Sequence, residues 1–335
     1  MSNSQKPTRV LVTGGGGFLG SAIVKRLVQR GCPVRSLSRR RYSQLEALGV
    51  EQVQGDLDDF SAVDQACSGM DTVFHVAAKA GVWGPWSAYF RTNVTGTENI
   101  VTACVKHGVS CLIYTSSPSV VFNGKDMAGI DETAPYPDTY HTHYPETKAM
   151  AEKIIRHAQV DGLKTIILRP HLIWGPGDNH LVPRIIARAR RLVQVGNGQN
   201  LVDTIYIDNA ADAHILAADA LEAHPELSGS LYFISQGKPI RLWDMVNAIL
   251  KAAGLPPVKH TLSHRTARMI GAIMETVYRK FHLPGEPLMT RFVADELATS
   301  HWFDISAAKK DLAYEPAVST REGLDRLAVW LKNGR

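Results

Sequence analysis

Short apolar runs alternate with longer stretches of helical spacing through the first half of the chain. Arg9 to Thr13 (RVLVT) forms the first run, ending in glycines, and Phe18 to Arg30 follows with apolar residues three and four apart. A short apolar run bounded by glycine reads as a buried strand, and the three-and-four spacing reads as an amphipathic helix. Cys32 to Ser38, Gln52 to Asp56, Asp71 to Val76, Ser110 to Ser116 and Leu163 to Pro170 repeat the strand pattern, and the spacing predicts a long helix opened by Asn93 and Thr97 and ending at His107. Parallel neighbours need a crossover of about a dozen residues, usually helical and right-handed. The alternation therefore predicts an α/β fold on a doubly wound parallel sheet of Rossmann type.

After Pro170 the pattern changes. HLIWGPGDNH is loop-like, and Leu181 to Val193 reads as a helix with Arg184, Arg188 and Arg191 on one face. Ile207-Asp208-Asn209 opens a helix to Leu221, and Ser230 to Ile234 reads as one more strand. Further helices are expected at Arg241–Ala253, Arg265–Phe281 and Ser319–Lys332, with Ser319 and Glu322 as a capping box. These elements predict a smaller, mostly helical C-terminal substrate lobe. The expected division is residues 1–172 plus about 204–235 for the sheet domain, and about 173–203 plus 236–335 for the substrate lobe.

Composition narrows the function. A net charge of +5 over 335 residues is too small to argue for nucleic acid, so Arg39, Arg40 and Arg41, and the arginines at 184, 188, 190 and 191, read as local anion sites. The four cysteines form no CxxC pair, as expected of a reducing compartment. A polar amino terminus and the lack of a long apolar run predict a cytoplasmic protein without a spanning helix. His75, His141, His143 and His180 match no zinc spacing, and no metal is expected.

The chemistry gathers at the ends of the strands. TGGGGFLG places Gly14, Gly17 and Gly20 between a strand and a helix, where glycines let the backbone approach a pyrophosphate and the helix N-terminus attracts it. An acidic residue usually ends the second strand of an NAD site; here Ser38, Arg39 and Arg40 stand there, suiting the 2′-phosphate of NADP. Asp56-Leu57 at the third strand end could meet the adenine, and Ala77-Ala78 after the fourth leave room for the dinucleotide. Tyr144 and Lys148 are four apart, so on a helix they share a face. An ammonium beside a phenol stabilises the phenolate and brings it toward working range, and Ser117 at the fifth strand end can donate to a substrate carbonyl oxygen.

TGGGGFLG, GDL at Gly55–Leu57, HVAA, TNVTGT, YTSS and YPETK together resemble the extended short-chain dehydrogenase/reductase superfamily over nearly the whole chain. LRPHLIWGPGDNHLVPR, NLVDTIYIDNAADAHILAA and YFISQGKPIRLW look like its 3β-hydroxysteroid and sterol-4-carboxylate dehydrogenase branch. With AAKAGVWGPW and YTSSPSVVFNGKD, the chain is most similar to bacterial 2-alkyl-3-oxoalkanoate reductases of long-chain olefin biosynthesis, which use NADPH. The resemblance implies Tyr144 as acid/base, Lys148 as its activator and Ser117, rather than its neighbour Ser116, as the carbonyl-binding hydroxyl. Dinucleotide contacts would run through Gly14, Gly17, Phe18, Leu19, Gly20, Ser38, Arg39, Asp56, Leu57, Ala77, Ala78, Tyr144, Lys148 and Pro170.

A β-oxo or β-hydroxy acid on a large apolar body requires a cation and an apolar wall. The candidate cations are His171, Arg184 and Arg188; the candidate walls are Val82, Trp83 and Trp86, and the helix carrying Ile270, Ile273, Met274, Val277 and Phe281. That stripe reads either as core packing or as an acyl-chain cap or membrane-interface contact. A sterol dehydrogenase, a nucleotide-sugar epimerase or dehydratase, and a non-catalytic NADPH sensor are the alternatives. By analogy a homodimer would form through helices near residues 93–107 and 142–160, and the olefin-pathway likeness implies assembly with a condensing enzyme and a β-lactone-forming enzyme.

Overall fold

The computed structural model describes residues 8–334, without the side chains of residues 160 and 161. The polar amino-terminal segment, residues 1–7, lies outside the described residues.

Seven parallel strands form the central sheet: β1 (Val10–Thr13), β2 (Val34–Ser38), β3 (Glu51–Gln54), β4 (Thr72–His75), β5 (Cys111–Thr115), β6 (Lys164–Pro170) and β7 (Leu231–Ile234). Their order across the sheet is β7-β6-β5-β4-β1-β2-β3. The chain direction of travel reverses between β1 and β4, where doubly wound sheets open a ligand crevice. Alternate residues face opposite cores, as the pleat requires. Val10, Val12, Phe74, Ile113, Ile166 and Leu168 enter one apolar cluster; Leu11, Val73, Leu112, Tyr114 and Ile167 enter the other.

Helices cover both faces. On one side α1 (Phe18–Gln29) buries Ile23 and Leu27; on the other, α2 (Gly96–His107) buries Ile100 and Ala103, and α3 (His143–His157) buries Ala151 and Ile155. The helix predicted to open at Asn93 begins earlier, at Trp86, and passes through a wider π-type turn over Phe90–Thr95 before α2. Such turns mark places where a helix is re-aimed, often at functional sites. The register pairs Thr13 with His75, His75 with Tyr114 and Thr115 with Leu168, so these residues finish together at the carboxyl edge.

The smaller lobe mixes helices with strands and is less helical than expected. Its short sheet runs Ile240–Arg241, Leu201–Val202, His301–Phe303, Met127–Ile130, the last strand contributed from between Ser117 and Tyr144. Strands of two to four residues show no alternation that a sequence could reveal. α4 (Leu181–Arg188) stops short of Val193 and gives way to a tighter turn. α5 (Ile207–Ala223) packs back on α1. α6 (His264–Lys280) rests on α7 (Arg291–Ala298) through Ala267, Gly271 and Glu275. The capping box at the last helix is half made: Ser319 accepts from the Glu322 amide at 3.2 Å, while the Glu322 carboxylate turns to Arg326 at 2.6 Å.

Candidate active site

The glycine loop forms a cradle that side chains would fill. Gly14 has φ +70°, and a Cβ there would stand 3.1 Å from that of Ala77; at Gly20 it would meet the Gly14 carbonyl oxygen at 2.2 Å. The first turn of α1 has neither a side-chain cap nor an acidic residue, so its free N–H groups and dipole suit an anion. Leu19 is buried in the core beneath the loop and Phe18 packs against that core, so both anchor the loop. At the end of β2, Ser38 is half-buried, and Arg39, Arg40 and Arg41 are exposed. The ion pair on this edge joins Arg35 to Glu51; among the described residues no carboxylate pairs with Arg39. Asp56 accepts from the Leu57 amide at 2.7 Å, and the Leu57 side chain is buried. Ala77 is half-buried, Ala78 is exposed and Pro170 is buried at the end of β6.

Tyr144, Lys148 and Ser117 come together at this edge. Tyr144 lies in the first turn of α3, and Ser117 precedes a single 3₁₀ turn, Pro118–Val121. Burial pushes the Tyr144 phenol up to about 12, while the Ser117 hydroxyl pulls it back. The Ser117 hydroxyl also meets that of Ser119 at 2.9 Å. Ser116 is different: its side chain is buried, and among the described residues its hydroxyl has no partner. Lys148 is buried beneath the site, its ammonium bonded to the Thr115 carbonyl at 2.6 Å and 4.0 Å from the Tyr114 ring centroid. Burial lowers it to about 7, against an upward pull from Glu152. Desolvation is the largest influence on the phenol, which is therefore held protonated in the protein by itself.

A buried relay that sequence reasoning missed fixes these elements. Thr13 Oγ1 accepts from the Val76 and Ala77 amides, each at 3.0 Å, and bonds His75 Nδ1 at 2.9 Å. His75 Nε2 meets Thr97 Oγ1 at 3.1 Å, and Thr97 donates to the Asn93 carbonyl at 2.7 Å. Two donors already fill Thr13 Oγ1, so its proton goes to Nδ1 and the ring proton sits on Nε2. Burial and the Lys148 charge push His75 down to about 3, which keeps it neutral. Asn93, in the π-type turn, accepts from the Lys79 amide at 2.7 Å and donates to the Lys79 carbonyl and Thr147 Oγ1, each at 3.0 Å. Thr147 donates in turn to the His143 carbonyl at 2.8 Å, next to Tyr144. The TNVTGT run containing Asn93 and Thr97 was the available signal.

At His141–His143, the residues just before Tyr144 in the chain, opens a cleft of about 500 Å³ that Tyr144 and Ser117 do not themselves line. Val82 and Trp83 line it, as expected, with Tyr89, Thr142, His143, Tyr278 and Leu283. Trp83 stacks edge-on against Tyr278 at 6.2 Å and lies 5.4 Å from the Arg279 guanidinium. His171 does not provide the expected cation: it is buried edge-on to His301 and Phe303, and burial holds its ring neutral. Arg184 is already paired with Glu286. The apolar stripe of α6 neither packs in the core nor lines the cleft; Ile273 is 58 % and Phe281 63 % exposed. The inward face is instead made of Ala267, Gly271 and Glu275, and a Cβ at Gly271 would stand 2.6 Å from the Thr290 backbone.

Residues 11–264 match the family described as 3-beta hydroxysteroid dehydrogenase/isomerase. The 2-alkyl-3-oxoalkanoate reductase of Shewanella oneidensis is 50 % identical over 97 % of this chain and 87 % of its own length. The protein of the same name from Stenotrophomonas maltophilia is 48 % identical over 95 % of this chain and 98 % of its own. The crystal structure of gox2253 superposes with a TM-score of 0.78 at 28 % identity, covering 97 % of this chain and 98 % of that one. A glycine cradle at the head of a doubly wound sheet and a family match spanning the sheet and part of the smaller lobe agree: the chain belongs to the 3-beta hydroxysteroid dehydrogenase/isomerase family of oxidoreductases.

Proposed function

We propose that the protein reduces the 3-keto group of a long-chain 2-alkyl-3-oxoalkanoic acid to the 3-hydroxy acid, using NADPH. The observation that carries this reading is the Tyr144 phenol, held protonated by burial and pulled back by the Ser117 hydroxyl, one residue along the chain from His143 in a cleft walled by Val82, Trp83 and Leu283. NADPH supplies the hydride when bound. Tyr144 gives its proton to the carbonyl oxygen as negative charge develops there, and Ser117 donates a hydrogen bond to the same oxygen. Lys148, buried under both, supplies positive charge that favours transient phenolate, and Glu152 helps keep that charge in place. Burial of Lys148 strengthens its electrostatic influence.

The cofactor preference rests on the edge of β2. Ser38 and unpaired, exposed Arg39 offer hydroxyl and guanidinium donors where an acidic residue would repel a 2′-phosphate. Residues 1–172 with about 204–235 would hold the dinucleotide, and about 173–203 with 236–335 would close the substrate side. A homodimer through α2 and α3, assembly with the neighbouring olefin-pathway enzymes and a cytoplasmic location complete the reading.

The family match favours one alternative, oxidation of a 3β-hydroxysteroid or 4-carboxysterol at the same residues. The test runs the reaction backwards: NADP+ is supplied with a long-chain 2-alkyl-3-hydroxy acid, or with a 3β-hydroxy-4-carboxysterol, and NADPH absorbance is followed. Turnover of the acyclic acid alone is expected. Turnover of the sterol alone would move the assignment to the sterol branch.

A further inference from the structure

We propose that the outer face of α6 docks on an anionic lipid bilayer, with the cleft mouth at the membrane surface. Met269, Ile270, Ile273 and Val277 continue through Phe281, Leu283 and Leu288 as one run of exposed large apolar side chains. Large contiguous apolar surface on a soluble protein marks an interaction site. The amphipathic pattern is inverted relative to a core helix: small Ala267 and Gly271 face the protein, and the large residues face out.

Charge selects the occupant. Between residues 264 and 290 the acids are Glu275 and Glu286, and both are tied up, Glu275 with Arg291 and Glu286 with Arg184. Arg265, Arg279 and Lys280 are exposed, and among the described residues no carboxylate pairs with them. An apolar stripe bordered by exposed cations, with both nearby acids held by arginines, fits an anionic headgroup layer, with the apolar residues entering the acyl boundary. A second copy of this face would bring the same cations against one another.

The stripe adjoins the cleft. Tyr278, Arg279, His282 and Leu283 line the cleft, while Val277 and Phe281, their chain neighbours, face outward. A chain drawn from a bilayer would thus pass over Phe281 and Leu283 without crossing water. That delivery role rests on the proposed reduction; the docking itself does not.

Flotation of the full-length protein with phosphatidylcholine vesicles, with and without phosphatidylglycerol, tests the docking without any substrate. Binding to the phosphatidylglycerol vesicles, weakened by salt, is expected. Ile273→Glu with Phe281→Glu should weaken it on the order of tenfold or more, and Arg265→Glu with Lys280→Glu should abolish the preference for phosphatidylglycerol. These positions are exposed, and the thermal melts should match that of the wild type. Failure of the wild type to float, or unchanged flotation of both double variants, overturns the proposal. So does a dimer in sedimentation velocity that Ile273→Glu with Phe281→Glu dissolves. Flotation without turnover of the 2-alkyl-3-hydroxy acid would leave the docking standing and remove the reductase reading.

Discussion

The Lys148 ammonium donates to the Thr115 main-chain carbonyl at 2.6 Å in a site with almost no water access. The single strong acceptor does not offset the lost hydration, and burial lowers the group from 10.5 to about 7. Below that value the folded and unfolded chains both carry the proton; between it and 10.5 only the unfolded chain does. Stability contributed by this residue therefore rises with pH across that window, by up to roughly 5 kcal/mol. Lys148→Met should raise the melting temperature most at about pH 6, and the gain should shrink as pH approaches about 10. An equal gain at both ends would show that the ammonium carries no burial cost. The same variant should lose roughly 10²- to 10⁴-fold in kcat.

Tyr144→Phe keeps the ring and removes only the proton donor. Turnover should fall by roughly 10²- to 10⁴-fold, while NADPH binding, measured by fluorescence titration, stays near that of the wild type. Ser117→Ala removes the hydroxyl that lowers the phenol, so the phenol should climb further. Oxidative turnover, which needs the phenolate, should then require a more alkaline pH than in the wild type. An unchanged pH profile would separate Ser117 from the proton donor.

The sheet, the glycine cradle and the Tyr144–Lys148 pair were legible because each is written locally. β1, its loop and α1 lie within a single stretch from Val10 to Gln29, and four positions on one helix define the pair. The small sheet was not legible: Asp126 accepts from the Ser300 amide across 174 positions, and the strands there are too short to alternate. The stripe on α6 was legible as amphipathic, but its direction was not. Gly271 and Ala267 allow close contact with the start of α7, so the small face packs inward and leaves Ile273 and Phe281 outside. His171 failed as a cation for a related reason. As a histidine it was a candidate charge for an acid substrate, but the chain directs the ring against Phe303 and His301.

Arg39 should decide the cofactor. A charge-assisted bond to the 2′-phosphate contributes about 1.5–3 kcal/mol, which corresponds to roughly 10- to 150-fold in affinity. Arg39→Ala should therefore lower kcat/KM with NADPH by roughly that factor and leave the value with NADH nearly unchanged. A wild type that uses NADH as well as NADPH, with a variant that keeps the same ratio, would defeat the NADP assignment.

Glu152 and Arg169 form a buried bidentate pair at 2.9 and 2.6 Å, one helical turn beyond Lys148, with Tyr136 donating to the same carboxylate at 2.7 Å. An arginine within the apolar run LKTIILRP was the sequence sign that a buried partner must exist. Removing either partner strands the other charge in the core, so Glu152→Gln or Arg169→Met should each destabilise the fold by roughly 3–5 kcal/mol. Changing both to apolar residues of similar volume, Glu152→Met with Arg169→Met, should recover most of that loss. A double variant as unstable as the sum of the singles would mean that the two side chains contribute independently. Glu152 also raises Lys148, so Glu152→Gln should shift the lysine further down. The pH window over which stability rises should then begin below about 7. A downward shift in the window separates the electrostatic role of Glu152 from its packing, because loss of packing alone lowers stability equally at every pH.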